Sequence, residues 1–361
     1  MLTVGIDGRA LRPPRTGIGV YLDMLLPRLS LVRPQWRFIV YLDGPVQSLE
    51  WAHNSRIHWR EWAMTPAVLW RNLWLARQLE KDAVQVFWSP LGVLPWKMRI
   101  PAAVTIHDLL WRDHPATLGW RDRITRATQM SHTIEHSQRI IAVSQFTADR
   151  LRHYYPSDQT KVHVVRPGPG RGHFTEWLKS NLVPSPYLLS LGGGEPRKNN
   201  QRLITAFNCS RLPLKNWHLV VVGQGSERLR QGPNVHVFDY VERNTLNTLT
   251  RAADALVFPS LYEGFGFPVM EAVINDKPFL LSDIPAFREF HFLDDRQFFN
   301  PHHLDQMVDV LNRCANPQFF SSVQYGPVPV SSWKQSAEGV ADVLGQAANI
   351  EGASMGGKGM R

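Results

Sequence analysis

The stretch Arg166–Pro186, RPGPGRGHFTEWLKSNLVPSP, divides the chain and decides its fold. Its prolines and glycines interrupt every helical or strand period, which marks a linker. Before it, short β-branched or aromatic runs recur at 2–6, 37–42, 84–88, 102–107, 139–143 and 161–165. Amphipathic patterns such as VYLDMLLPRL and FTADRLRHYY fill the gaps between them. After it the alternation restarts, with runs at 187–193, 218–223, 234–238, 254–260 and 277–282. Strands alternating with helices predict a parallel sheet covered on both faces, here built twice. The sequence therefore predicts an α/β chain of two doubly wound, Rossmann-like domains. A first domain spans 1–168, a linker 169–186, a second domain 187–332, a closing helix 333–349 and a disordered glycine-rich tail 350–361. In such sheets ligands sit beyond the carboxyl ends of the strands, so the expected site faces a cleft between the domains.

The chain has 361 residues and 43% hydrophobic composition, enough for two ordinary cores, and 20% charged residues. No run of 18 apolar residues occurs, and the start, MLTVGIDGRALRPP, is patterned as a strand rather than a signal peptide. The two cysteines, Cys209 and Cys314, lack metal-ligand spacing and suggest a reducing compartment, so a cytoplasmic protein is expected. The net charge of +9 is uneven: residues 1–180 carry 24 Lys and Arg against 14 Asp and Glu, the rest 16 against 17. A basic first half points to a polyanionic partner such as an anionic membrane face or a phosphate-bearing acceptor. No nucleic-acid motif accompanies the charge, and nucleic acid is not expected as a partner.

Three stretches carry chemistry. LYEGFGFPVMEA (261–272) places Glu263 before, and Glu271 inside, a helix that Pro268 is expected to open, with Glu271 in the first turn. The Gly264-Phe265-Gly266 turn admits close approach of a ligand, and free amides at a helix start attract anions. A carboxylate on each side of that anion site suits hydroxyls flanking a phosphate; two glutamates that merely favour the helix dipole are the plain alternative. LGGGEPRKNNQRLITAF puts Arg197 and Lys198 where a helix should begin after a glycine turn, a pair suited to phosphate oxygens and equally common as surface charge. RTGIGVYLDMLL opens the first long helix at Gly17 and Gly19 without completing a dinucleotide fingerprint. IHWREWAMTPAVLWRNLWLARQLEK (57–81) mixes tryptophans with arginines and is expected to be a packed helix whose arginines rest on anionic lipid. Asp294-Asp295 lacks further ligands nearby, so no metal site is expected.

Together RTGIG (15–19), TIHDL (105–109), AVSQFTADRL (142–151), EPRKN (195–199), VVGQG (221–225) and EGFGFPVMEA (263–272) resemble family 4 of the retaining glycosyltransferases. That resemblance covers nearly all of residues 1–345 and implies the two-domain GT-B fold. The motifs are most similar to those of bacterial mannosyltransferases that build lipopolysaccharide and other surface glycans. It implies transfer of a sugar, mannose from GDP-mannose before a UDP- or dTDP-sugar, to a glycan or lipid-linked saccharide. A non-catalytic nucleotide-sugar-binding subunit is the alternative. It further implies that Glu263 meets donor-sugar hydroxyls, that Glu271 holds the ribose, and that amides around Gly266 and Phe267 touch sugar and phosphate. Arg197 and Lys198 then neutralise the leaving diphosphate, Gly17 lets the first domain approach it, and His107 stands beside the donor sugar. Val241, Leu246 and Ser260 border the nucleotide. Neither metal nor other cofactor is implied, and the protein is expected in the cytoplasm, either free or peripheral at the inner face of the cytoplasmic membrane.

Overall fold

The computed structural model describes residues 1–355 apart from 14–16, 47–48, 50, 52, 116–118, 170–181, 292, 317 and 322–330. Most of the linker predicted at 169–186 and the end of the tail, 356–361, thus lie outside the described residues. The chain forms two compact units, one of residues 1–170 with 331–361 and the other of residues 171–330.

The first unit is built on seven strands: β1 (Thr3–Asp7), β2 (Arg37–Leu42), β3 (Ile57–Glu61), β4 (Val86–Ser89), β5 (Ala102–Ile106), β6 (Arg139–Ala142) and β7 (Val162–Val164). All pair in parallel, in the order β3-β2-β1-β4-β5-β6-β7. Strands such as AAVTI in β5 are buried at every position, the pattern of a sheet covered on both faces. The helix Gly17–Val32 covers one face with Tyr21, Leu22, Leu25, Leu26 and Leu29, all fully buried. Each such side chain contributes about 2 kcal/mol by leaving water. The helix Trp333–Met355 packs against it, with the Trp333 indole donating to the Pro169 carbonyl at 2.6 Å and the Ser336 hydroxyl to that of Arg166 at 2.7 Å. The last helix is therefore part of the first unit. It also runs six residues beyond Asn349, to Met355, through helix-forming Glu351 and Ala353 before the Gly356-Gly357 pair follows in sequence.

The second unit has six strands: β8 (Tyr187–Leu191), β9 (His218–Val222), β10 (Val235–Phe238), β11 (Ala255–Phe258), β12 (Phe279–Ser282) and β13 (Phe298–Phe299). They are parallel too, in the order β10-β9-β8-β11-β12-β13. Its core joins Leu188, Leu203, Phe207, Val221, Val257 and Leu311. In both sheets the strand order reverses beside the first strand, between β1 and β4 and between β8 and β11. That crevice is where doubly wound sheets take ligands.

Two strands went unpredicted, β3 and β13. Residues 57–81 are a strand followed by a helix. Ile57–Glu61 pairs with β2 in register from Phe38 opposite Ile57, and only Ile57 is buried. As an edge strand β3 shows no clean alternation, and Pro66 then opens the helical segment of 67–81. The middle of that segment, Trp70–Leu75, is π-helical, a form that is rare and recurs at functional sites.

Candidate functional site

The reversal crevice of the second sheet is edged by two loops, 192–199 after β8 and 259–266 after β11. The first begins with glycines for reasons of contact. A side chain on Gly193 would lie 2.2 Å from the Gly223 carbonyl oxygen, and one on Gly194 2.2 Å from that of Gly225. The turns after β8 and β9 thus stack backbone on backbone, joined by Gly194 N–H donating to the Gln224 carbonyl at 3.0 Å. Gly192, at φ +104°, leaves room for the stem of Lys198, whose Cγ would be 2.4 Å from an added Cβ. A short 3₁₀ turn, Pro196–Lys198, follows, then left-handed Asn199 and the helix Asn200–Cys209. Asn200 is buried and locks the loop, donating to the Gly193 carbonyl at 2.8 Å.

This geometry brings Arg197, Lys198 and Glu263 together. The Lys198 ammonium donates to Glu263 Oε1 at 2.6 Å and Arg197 Nη1 to Oε2 at 2.7 Å. Ser260 donates to Oε1 at 2.7 Å and is buried, so it supports the carboxylate. Arg197 also donates to the Tyr262 carbonyl at 3.0 Å and, in a fork, to Glu195 at 2.8 and 3.2 Å. The two loops are latched as well by Leu261 N–H donating to the Arg197 carbonyl at 2.8 Å. Burial pushes the Glu263 carboxyl up, but Lys198 and then Arg197, helped by hydrogen bonds from Lys198 and Ser260, outweigh it and hold it below the ordinary range. Burial likewise lowers the Arg197 guanidinium, and Glu263 with Glu195 more than offsets it, raising it. Two cations face two carboxylates, and the cluster is neutral.

Glu195 was missed by sequence reasoning. The available signal was an acid two positions before an arginine in a proline-opened turn, where the guanidinium curls back. The helix after the second loop starts at Phe267, with Gly266 as its cap at φ +107°. Pro268 is therefore the second helical residue, and half-buried Glu271 the fifth, beyond the first turn where the sequence put it. The start moves because Gly266 alone adopts the left-handed turn: a Cβ there would meet the Phe287 ring at 2.9 Å. Val241 and Leu246 are half-buried, one before and one inside the helix Arg243–Ala252. That helix follows the edge strand β10, two strands from β8.

Gly17 and His107 belong to the first unit. Gly17 opens its helix exposed, with nothing among the described residues within 4 Å of an added Cβ. His107 directly follows β5, half-buried, its Nε2 donating to the Pro90 carbonyl at 2.9 Å. Burial lowers its pKa against the opposing pull of that carbonyl and of Asp108, which leaves a neutral imidazole with Nδ1 as an acceptor. The Asp294-Asp295 pair is spent on arginines: Asp294 binds the Arg296 side chain at 3.0 Å, and Asp295 pairs with Arg288. Among the described residues no three His, Cys, Asp or Glu side chains are grouped to hold a metal ion.

Residues 17–168 match the family described as Glycosyltransferase Family 4, and residues 174–313 match that described as Glycosyl transferases group 1. Among curated proteins, the serotype-specific mannosyltransferase WbdA of Escherichia coli is 26% identical over 191 residues, 44% of this chain and 23% of WbdA. The O-antigen chain mannosyltransferase RfbU of Salmonella typhimurium is 24% identical over 230 residues, 59% of this chain and 63% of RfbU. The match thus spans between about a quarter and under two-thirds of those relatives. Among solved structures, WaaG, a glycosyltransferase involved in lipopolysaccharide biosynthesis, superposes with a TM-score of 0.66 at 16% identity, covering 97% of this chain and 99% of that one. This likeness establishes the GT-B fold.

Proposed function

This chain belongs to the two-domain glycosyltransferases, Family 4 in its first half and group 1 in its second, and from that premise we propose that it transfers mannose from GDP-mannose to a glycan or lipid-linked saccharide acceptor, with retention of configuration. The observation that carries the reading is the Arg197–Glu263–Lys198 cluster, held at 2.6–2.7 Å in the reversal crevice of the second sheet. Departure of a nucleoside diphosphate develops negative charge, and fixed cations beside a helix N-terminus stabilise it.

The hydrogen bonds divide the labour. Arg197 commits four donor contacts to Glu195, Tyr262 and Glu263, so it aims the Glu263 carboxylate. Lys198, with one protein bond at 2.6 Å, is the cation we assign to the leaving phosphate. Glu263, ionised at neutral pH, takes hydroxyls of the donor sugar, and Glu271 takes the ribose. Gly266 and Phe267 offer amides at the helix start, and Ser260 holds Glu263 in place. For His107 and Gly17 in the first unit, and for Val241 and Leu246 beside the base, we propose the roles that the resemblance implies. Charge balance in this scheme comes from side chains and amides, so activity should survive EDTA.

The acceptor's setting follows from the first unit's surface. Trp120 and Ile124 stand exposed one turn apart on the helix Trp120–His136 beside Arg121 and Arg123. That composition supports contact with an anionic lipid face on the cytoplasmic side. No helix among the described residues is long and apolar enough to cross a membrane.

Calorimetric titration of GDP, UDP, dTDP and ADP with EDTA present tests the donor. Binding of GDP alone is expected. Binding of UDP or dTDP alone would replace the sugar donor, and binding of none would make the chain a non-catalytic member of its family.

A further inference from the structure

The first unit contains a cavity of about 460 Å³ at the carboxyl ends of β4 and β5, with His107 on its wall. Gly92, at φ +66°, lets the loop after β4 pass close to β5, since a Cβ there would sit 3.1 Å from the Thr105 carbonyl oxygen. Among the described residues the charged groups on the wall are Arg71, Arg126 and Asp108. Arg71 comes from the π-helical turn Trp70–Leu75, and Arg126 from the helix Trp120–His136.

Arg71 is the unusual member. One Nη donates to Gln129 Oε1 at 2.8 Å, while its Nε is buried without any hydrogen-bond partner. No ion pair joins it to a carboxylate among the described residues. The fully buried Asp7 at the end of β1 is taken by Arg9, which forks onto it at 2.9 and 2.7 Å. Burial, and then repulsion from Arg9, draws the Arg71 guanidinium below its ordinary pKa, and Asp7 only partly opposes them. The carboxylate nearest in effect to Arg71 is thus already held by another arginine. A half-buried cation with an idle donor and no ion pair calls for a partner, and an anion from outside the chain can supply one. Asp108, the carboxylate on the wall, is exposed and accepts the Leu110 amide at 3.1 Å.

We propose that this cavity binds an anionic group, a phosphoryl or a sugar carboxylate, with Arg71 as its principal ligand and Arg126 as the second cation. Taken with the glycosyl-transfer reading, on which the word acceptor rests, the chain acts on an acceptor that carries such an anion. Neutral His107 leaves an acceptor atom in the same cavity for a neighbouring hydroxyl.

The test uses the full chain saturated with GDP, so that diphosphate sites in the second unit are filled. Phenyl phosphate and phenyl glucuronide are then titrated into the wild type, Arg71→Gln and Arg71→Lys. One of the two anions should bind the wild type, at least about tenfold more weakly to Arg71→Gln and by an intermediate factor to Arg71→Lys, which keeps charge but loses the fork. Preference for the phosphate marks a phosphorylated acceptor, and preference for the glucuronide a uronic acid. GDP affinity should not change between variants. Equal anion affinity in all three proteins, or none in any, overturns the site. A fall in GDP affinity in Arg71→Gln also overturns it, because Arg71 would then serve the donor. A lower melting temperature with unchanged anion affinity would make Arg71 a packing residue and overturn it too. Absence of nucleotide binding alongside Arg71-dependent anion binding would remove the glycosyl-transfer reading and leave the site standing.

Discussion

In the second unit, the loops after β8 and β11 gather Arg197, Lys198, Glu195 and Glu263, two cations with two carboxylates. In the first unit, the corresponding place after β1 gathers Arg9 and Arg71 near Asp7, with Asp43 acting on Arg9 from further off while it pairs with Arg12. Both clusters lie where the strand order of a doubly wound sheet reverses, so the fold itself does not set the difference. The second cluster is complete without a ligand, and a diphosphate must win Lys198 from Glu263. In the first, Arg71 has no ion pair among the described residues, because Arg9 already holds Asp7. Removing Arg71 should therefore not cost stability in the way that removing Glu263 does.

Glu263→Ala is the severest way to break the closed cluster. It strips both cations of their shared partner, each side chain being 20% exposed or less. Transfer should fall by about 10³-fold or more as the sugar contact goes. Stability should fall by about 2 kcal/mol, less than for a fully buried pair because solvent still screens the cations. GDP affinity should hold or rise, since Lys198 is released. Thermal melting with a radiolabelled transfer assay and GDP calorimetry reads all three, and a parallel loss of GDP binding would contradict the assignment to sugar. Arg71→Gln, by contrast, should leave the melting temperature unchanged or raise it.

Lys198→Ala comes next. Loss of a charge-assisted contact should weaken GDP binding about 10- to 100-fold. Gly192→Ala should move it the same way and less, because the added Cβ at 2.4 Å displaces the lysine stem. Unchanged affinity in both would reduce Lys198 to surface charge.

How much of this contrast the sequence could reveal depends on where each residue sits. Strongly apolar strands such as RFIVYL and HLVVV are buried on both faces, and their runs are plain to read. Edge strand β3, with one buried residue, and two-residue β13 have too little pattern to show. Arg197, Lys198 and Glu263 stood out because loop glycines and a helix start surround them within short motifs. Glu195 lay inside one of those motifs and gained meaning only from the fork onto Arg197. Arg71 had no motif. Its isolation depends on Asp7, 64 positions earlier, being consumed by Arg9, which only the packed unit reveals.

The smallest effect separates the units by pH. Burial lowers the pKa of His58, His107 and His163 in the first unit, with Arg37 and Arg60 adding to it at His58 and Arg139 at His163. In the second unit His236 is lowered by burial and by His218, 3.0 Å away. A histidine whose folded pKa is depressed stays neutral while the unfolded chain takes up its proton. Its contribution is present above the unfolded value of about 6.5 and is lost as pH falls below it toward the folded value. Glu263 behaves differently: its stabilisation holds above the unfolded carboxylate pKa of about 4.3 and goes only as pH falls through its lowered folded value. Between about pH 6.5 and pH 5 the first unit should therefore lose more stability than the second. Calorimetric scans at stepped pH should show the transition of the first unit moving down ahead of the other. His163→Phe, which removes a buried ring nitrogen without a partner, should flatten that shift in part. If both transitions moved together, the three histidines would not be what distinguishes the units on the acid side.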